Sequence, residues 1–93
     1  MNLEKIITEK INKNLSPDFF KIINFSDKHK NHYLEDNNDT SHIKLIIVSK
    51  CFNSLSKIDR ERLVHKIISE EISNNIHSIR LKLYTLEEYK LIQ

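Results

Sequence analysis

Residues 41–88 constrain the fold more than any other part of this chain, because a strand, a helix and a second strand follow one another there with no glycine between them. In His42–Val48, Ile43, Leu45 and Ile47 share one face, while Ile46 and Val48 make the other face apolar too. That pattern predicts a strand that is central or covered on both sides. Ser78–Tyr84 alternates cleanly, with Ile79, Leu81 and Leu83 to one side and Arg80, Lys82 and Tyr84 to the other. Between the strands, Val64, Ile67 and Ile68 fall on one side of a helix, and Arg62, Lys66, Ser69 and Ser73 on the opposite side. Ser54 or Ser56 is placed to cap that helix. Arg60 projects by periodicity near Val64, an unusual place for a charge. Either it sits in a frayed first turn or it pairs with a carboxylate.

The remaining segments complete the pattern. Leu3, Ile6, Ile7, Ile11 and Leu15 recur at helical spacing, and Ser16-Pro17-Asp18 ends that helix. Phe19–Phe25 is aromatic and β-branched and reads as a strand. Residues 26–41 are polar, charged and non-periodic, and read as one long loop. Thr85 with Glu88 forms a capping box that opens a short last helix, Leu86–Ile92. The order α-β-β-α-β-α predicts a single α+β domain over residues 1–93, with helices packed on a mixed three-stranded sheet.

The sequence contains no glycine. Gly-rich phosphate loops of the P-loop and Rossmann kinds are therefore excluded. Left-handed turns should fall to Asn or Asp, with Asn37-Asn38-Asp39 and Asn74-Asn75 the expected places. The longest apolar run, Leu45–Val48, is far short of a membrane span, and Met1–Leu15 lacks a signal-peptide core. One cysteine, Cys51, gives no internal disulfide and fits a reducing compartment, so a cytoplasmic protein is expected. The net charge of +2 permits nucleic-acid contact without arguing for it.

Three histidines stand where core packing does not require them: His29 and His32 in the long loop, and His77 at the entrance to the last strand. Loop and strand-entrance imidazoles brought together would make a soft-metal site; the bland reading is solvated loop and strand-end histidines. His42 opens a strand and reads as a structural hydrogen-bonding residue. His65 lies four residues after Glu61, so a surface ion pair accounts for it. Cys51 has no His–acid arrangement around it and reads as a small hydrophobe. No carboxylate pair or Ser-His-Asp pattern stands out, so an enzyme is not expected. The bases Lys50, Lys57, Arg60, Arg62 and Lys66 are candidate phosphate contacts, although Asp59, Glu61, Glu70 and Glu71 interleave them.

In order and spacing the chain resembles the BolA-like proteins over nearly its full length. The stretches that carry the likeness are Ser41-His42-Ile43-Lys44, Val48-Ser49-Lys50-Cys51-Phe52, Arg60-Glu61-Arg62-Leu63-Val64, Glu70-Glu71-Ile72, Ile76-His77-Ser78-Ile79 and Thr85-Leu86-Glu87-Glu88-Tyr89. His29-Lys30-Asn31-His32 looks like the His-x-Gly-His of one branch. Asn53 and Glu61 depart from the family's usual Gly and His, and the loop has lost its glycines. The resemblance implies a class II KH-like fold and a monothiol glutaredoxin partner. It implies a [2Fe–2S] cluster held with glutaredoxin cysteine and glutathione on one side, and with His77 and either His32 or His29 on the other. No cofactor is expected in the isolated chain, which would be a monomer or weak dimer. Arg60, Arg62 and the strand-end region are expected to form part of the docking surface. The alternative is a DNA-binding transcriptional regulator using the basic helix and the third strand.

Overall fold

The computed structural model describes residues 3–25, 42–76 and 78–93. The expected long loop, with His29, His32 and the Asn37-Asn38-Asp39 turn, lies outside the described residues, as does His77.

Helix α1 spans Leu3–Leu15 and buries Ile7, Ile11 and Leu15, the stripe that its periodicity predicts. Ser16 ends it with φ 41°, its N–H donating to Asn12 O at 3.2 Å. Ser16 is the one non-glycine residue with positive φ among those described, so the left-handed turn falls on a serine rather than on an Asn or Asp. Asn74 and Asn75, expected to turn, instead finish a helix.

Three strands form one sheet in the order β1 (Phe19–Asn24), β2 (His42–Val48), β3 (Ser78–Tyr84). β1 pairs antiparallel with β2, in register Phe19↔Val48 to Asn24↔Ile43. β2 pairs parallel with β3, in register His42↔Ser78 to Val48↔Tyr84. The sheet is mixed and β2 is central, as its two-sided apolar pattern predicts. On the inner face Ile43, Leu45 and Ile47 pack with Ile7, Ile11, Phe52, Val64 and Ile68, each no more than 1% exposed. Among the described residues the outer face is closed only at one end. There Phe19, Val48 and Tyr84 form a row, and Tyr89 brings its ring within 5.4 Å of Phe19 and 5.7 Å of Tyr84. Val48 is fully buried as a result, while Ile46 and Lys44, further along, are half-buried.

After β2, Ser49 caps a single 3-10 turn over Lys50–Phe52. Its hydroxyl donates to Leu15 O at 2.8 Å and accepts from Cys51 N at 3.0 Å, and its own N–H donates to Tyr84 O at 3.0 Å. One buried serine thus ties α1, β2 and β3 together. Helix α2, Lys57–Ile67, starts at Ser56, whose side chain accepts from Asp59 N; Ser56, not Ser54, is the cap.

The expected single helix is two. Ile68 takes φ −112°, ψ 27°, and α3 continues over Ser69–Asn75. The break falls at Ile67-Ile68-Ser69, two β-branched residues and a serine, all weak helix formers. Full burial of Ile68 holds the bend, and Lys10 of α1 grips Glu71 of α3 at 2.9 Å. The element order is therefore α-β-β-α-α-β-α. A final helix, α4 (Leu86–Ile92), opens with the expected capping box of Thr85 and Glu88.

Candidate functional site

One end of the sheet gathers three strand ends. β1 finishes at Asn24, and Phe25 N–H donates to His42 O at 2.8 Å where β2 begins. His42 pairs with Ser78, the first residue of β3. The segment carrying His29 and His32 therefore departs and returns at the end where β3 starts, one residue after His77. The three candidate ligands are themselves outside the described residues. Among the described residues no group of three or more His, Cys, Asp or Glu could hold a metal ion.

Cys51 lies past the opposite end of β2. Seven strand residues separate the two ends, roughly 20 Å at the usual strand rise. The thiol is exposed, with Sγ 3.7 Å from Leu15 O. The chain's one cysteine therefore stands away from the sheet end at which the segments bearing His29, His32 and His77 join the strands, so a ligand set there would have to be imidazole without thiolate. That fits half of a mixed iron–sulfur coordination, in which thiolates come from elsewhere.

The basic candidates separate into one internal residue and four external ones. Arg60, expected on the contact surface, is 5% exposed. Its Nε donates to Leu55 O at 3.1 Å and its Nη1 to Leu83 O at 3.2 Å. The guanidinium grips Glu88 in a fork, Nη1–Oε1 at 2.7 Å and Nη2–Oε2 at 3.2 Å, and lies over the Phe52 ring at 5.8 Å. The carboxylate-pairing alternative is therefore correct, and Arg60 is a joint between α2, β3 and α4 rather than a docking residue. A bidentate fork is the geometry an arginine forms best. Glu88 Oε1 also accepts from Thr85 N at 3.0 Å. The hydrogen bonds from Arg60, then from the Thr85 backbone, lower the Glu88 pKa from 4.5 to about 2. This carboxylate is an ionised anchor, unsuited to donating or taking a proton near neutrality.

A pocket of about 220 Å³ opens beside the joint, lined by Lys57, Arg60 and Glu61 of α2 and by residues 81–84 of β3. Lys50, Lys57, Arg62 and Lys66 are all exposed. Arg62 meets Asp59 at 3.4 Å, a surface contact of small energetic value. The expected Glu61–His65 ion pair does not form among the described residues, and His65 is exposed. The acids remain interleaved with the bases, so α2 presents a mixed face.

A second charged surface comes from the sheet itself. Lys21, Lys44, Arg80 and Lys82 all lie on its outer face, and the three strands contain no carboxylate. Only the outward direction of Arg80 and Lys82 is readable from the sequence, because the other two join them through cross-strand register.

A three-stranded mixed sheet, helix-covered on one face and capped by a C-terminal helix at one end of the other, defines a small α+β domain consistent with the class II KH-like label. Residues 11–88 match the BolA family of BolA-like proteins. The chain belongs to that family. It is 34% identical over 90 residues, 97% of this chain and 84% of the relative, to a protein of Haemophilus influenzae named DNA-binding transcriptional regulator BolA. Among solved structures it is similar to BolA1 from Arabidopsis thaliana, with TM-score 0.81 and 28% identity, covering 95% of this chain and 96% of that one. It is also similar to the BolA domain of SufE1 from the same plant, with TM-score 0.76 and 28% identity, covering 90% and 92%. No helix among the described residues is long and apolar enough to cross a membrane.

Proposed function

We propose that this chain is a BolA-like adaptor that pairs with a monothiol glutaredoxin to bind or hand on a [2Fe–2S] cluster, with no catalytic residue of its own. One observation supports the reading best. The sheet end to which the His29/His32 segment returns is the end where β3 starts after His77, and Cys51 is a strand length away. In this reading His77 and one of His29 or His32 would ligate, each in its neutral form, so binding weakens as the imidazoles protonate. The cluster would supply the redox chemistry, while this chain selects the partner and orients its imidazoles. The test is anaerobic reconstitution with a monothiol glutaredoxin and glutathione, followed by visible absorbance and circular dichroism. A spectrum distinct from that of glutaredoxin alone, and altered by His77→Ala, is the expected result; an unchanged glutaredoxin spectrum rejects the reading.

A second reading, a DNA-binding regulator, is favoured by the name of the Haemophilus relative and by the exposed Lys57, Arg62 and Lys66 of α2. It expects duplex binding that falls steeply with salt, survives His77→Ala and weakens in Lys57→Ala/Lys66→Ala. Duplex binding indifferent to the α2 substitutions would reject it.

A further inference from the structure

Beyond the Phe19–Val48–Tyr84 row, two further rows cross the outer sheet face. One is Lys21–Ile46–Lys82 and the next is Ile23–Lys44–Arg80. Lys44 and Arg80 are direct cross-strand partners, an arrangement of like charges that costs stability. None of the four cations forms an ion pair among the described residues. Lys21, Arg80 and Lys82 are exposed, and Ile23, Lys44 and Ile46 are half-buried. Of the chain's fifteen basic residues these are four; the other eleven stand against thirteen acids. The chain's positive balance is therefore concentrated on this face, where no carboxylate stands among the four cations, while Asp59 and Glu61 offset most of the exposed charge of Lys57, Arg62 and Lys66 on α2.

We propose that this face binds a single-stranded nucleic acid, with the four cations on its phosphates and Ile23 and Ile46 as an apolar floor beneath its bases. Uncompensated cations across a flat sheet attract a polyanion by charge complementarity. The flatness selects the single strand. Three strands at the usual spacing make a face roughly 10 Å across, whereas the duplex major groove admits a helix or a two-stranded ribbon. Cations that track a backbone beside apolar and aromatic surface are the composition of a single-strand platform. At the end of the face stands the Phe19 ring, 39% exposed. The inference is independent of the cluster reading, and it uses a different surface from the α2 contacts of the second reading.

The test titrates fluorescently labelled oligothymidylate, oligouridylate and a DNA duplex of the same length into the full chain, read by anisotropy over a range of salt. The quadruple variant Lys21→Gln, Lys44→Gln, Arg80→Gln, Lys82→Gln is compared with Lys57→Gln/Lys66→Gln as the α2 control. Single strands should bind more tightly than duplex. The sheet variant should weaken them about tenfold or more and lower the salt slope by roughly 3, at about 0.7 for each phosphate no longer neutralised. The α2 control should bind like wild type. DNA and RNA strands binding alike would identify the shared backbone as the ligand; a preference for one would name it. Thermal melting keeps the result interpretable, since removing the Lys44–Arg80 juxtaposition should leave stability unchanged or raised. Absence of binding at low salt, equal binding of duplex, or weakening in the α2 control with retention in the sheet variant would overturn the proposal; the last outcome would leave the second reading standing.

Discussion

Arg60 shows how one residue's environment decides its role. Its charge at a core-facing helical position is readable as an anomaly in the sequence, and the partner, Glu88, lies 28 residues away on another helix. Removing the side chain in Arg60→Met strips donors from Leu55 O and Leu83 O and leaves Glu88 unpaired. Glu88 is 42% exposed, so water takes up part of the loss, and a destabilisation of roughly 1–3 kcal/mol is expected from the urea midpoint. Arg60→Lys should recover only part, because an ammonium cannot reproduce the fork. The same pair sets a pH dependence. The folded-state pKa of Glu88 is depressed from 4.5 to about 2, so its stabilisation is present above about pH 4.5 and is lost as the pH falls towards 2. Unfolding followed against pH should show that slope in the wild type and a clearly smaller one in Arg60→Met, where, of the hydrogen bonds, only that from Thr85 N–H remains to hold the pKa down. Ser49→Ala should cost about 1–3 kcal/mol by leaving the buried Leu15 carbonyl and Cys51 N–H without their side-chain partner; a melting temperature equal to wild type would contradict that role.

Among the elements, α1, β2, β3 and α4 are legible because each carries one complete signal, whether a 3.6-residue stripe, an alternation or a capping box. The α2–α3 break is not, because Ile68 keeps its place on the apolar side in either geometry and only its dihedrals differ. The left-handed turn is misplaced for a related reason. Preference ranks Asn and Asp above Ser, but the helix end is fixed by Pro17 and by the burial of Leu15, and Ser16 occupies the position that results. Ser16→Gly should relieve the positive φ and stabilise the chain by up to about 1 kcal/mol. At the usual ~4–8 °C per kcal/mol for a domain of this size, calorimetry would resolve it. A lower melting temperature would mean that the serine makes up for its dihedral in another way. The cationic sheet rows are also invisible element by element: β1 and β2 contribute one cation each, and only register sets them beside Arg80 and Lys82.

At the scale of the whole molecule, the central strand separates two chemistries. The strand ends flanking the histidines meet where β2 begins; the thiol of Cys51 lies beyond Val48, where β2 ends. Family membership and fold were legible in the sequence because motif order survives 28–34% identity. The geometry of His29, His32 and His77 was not, because a polar stretch without periodicity carries no pattern from which positions follow. The separation yields a discriminating prediction. If imidazoles at the strand-entrance end serve the cluster, Cys51→Ser should leave the reconstituted spectrum with glutaredoxin unchanged, while His77→Ala changes it. Lowering the pH through the imidazole range, near 6.5 for an unperturbed histidine, should release the cluster from the wild-type pair. A spectrum lost in Cys51→Ser and kept in His77→Ala would move the ligand to the other end of the sheet. It would replace a histidine adaptor by a thiolate one, since a strand roughly 20 Å long cannot bring both ends to one iron.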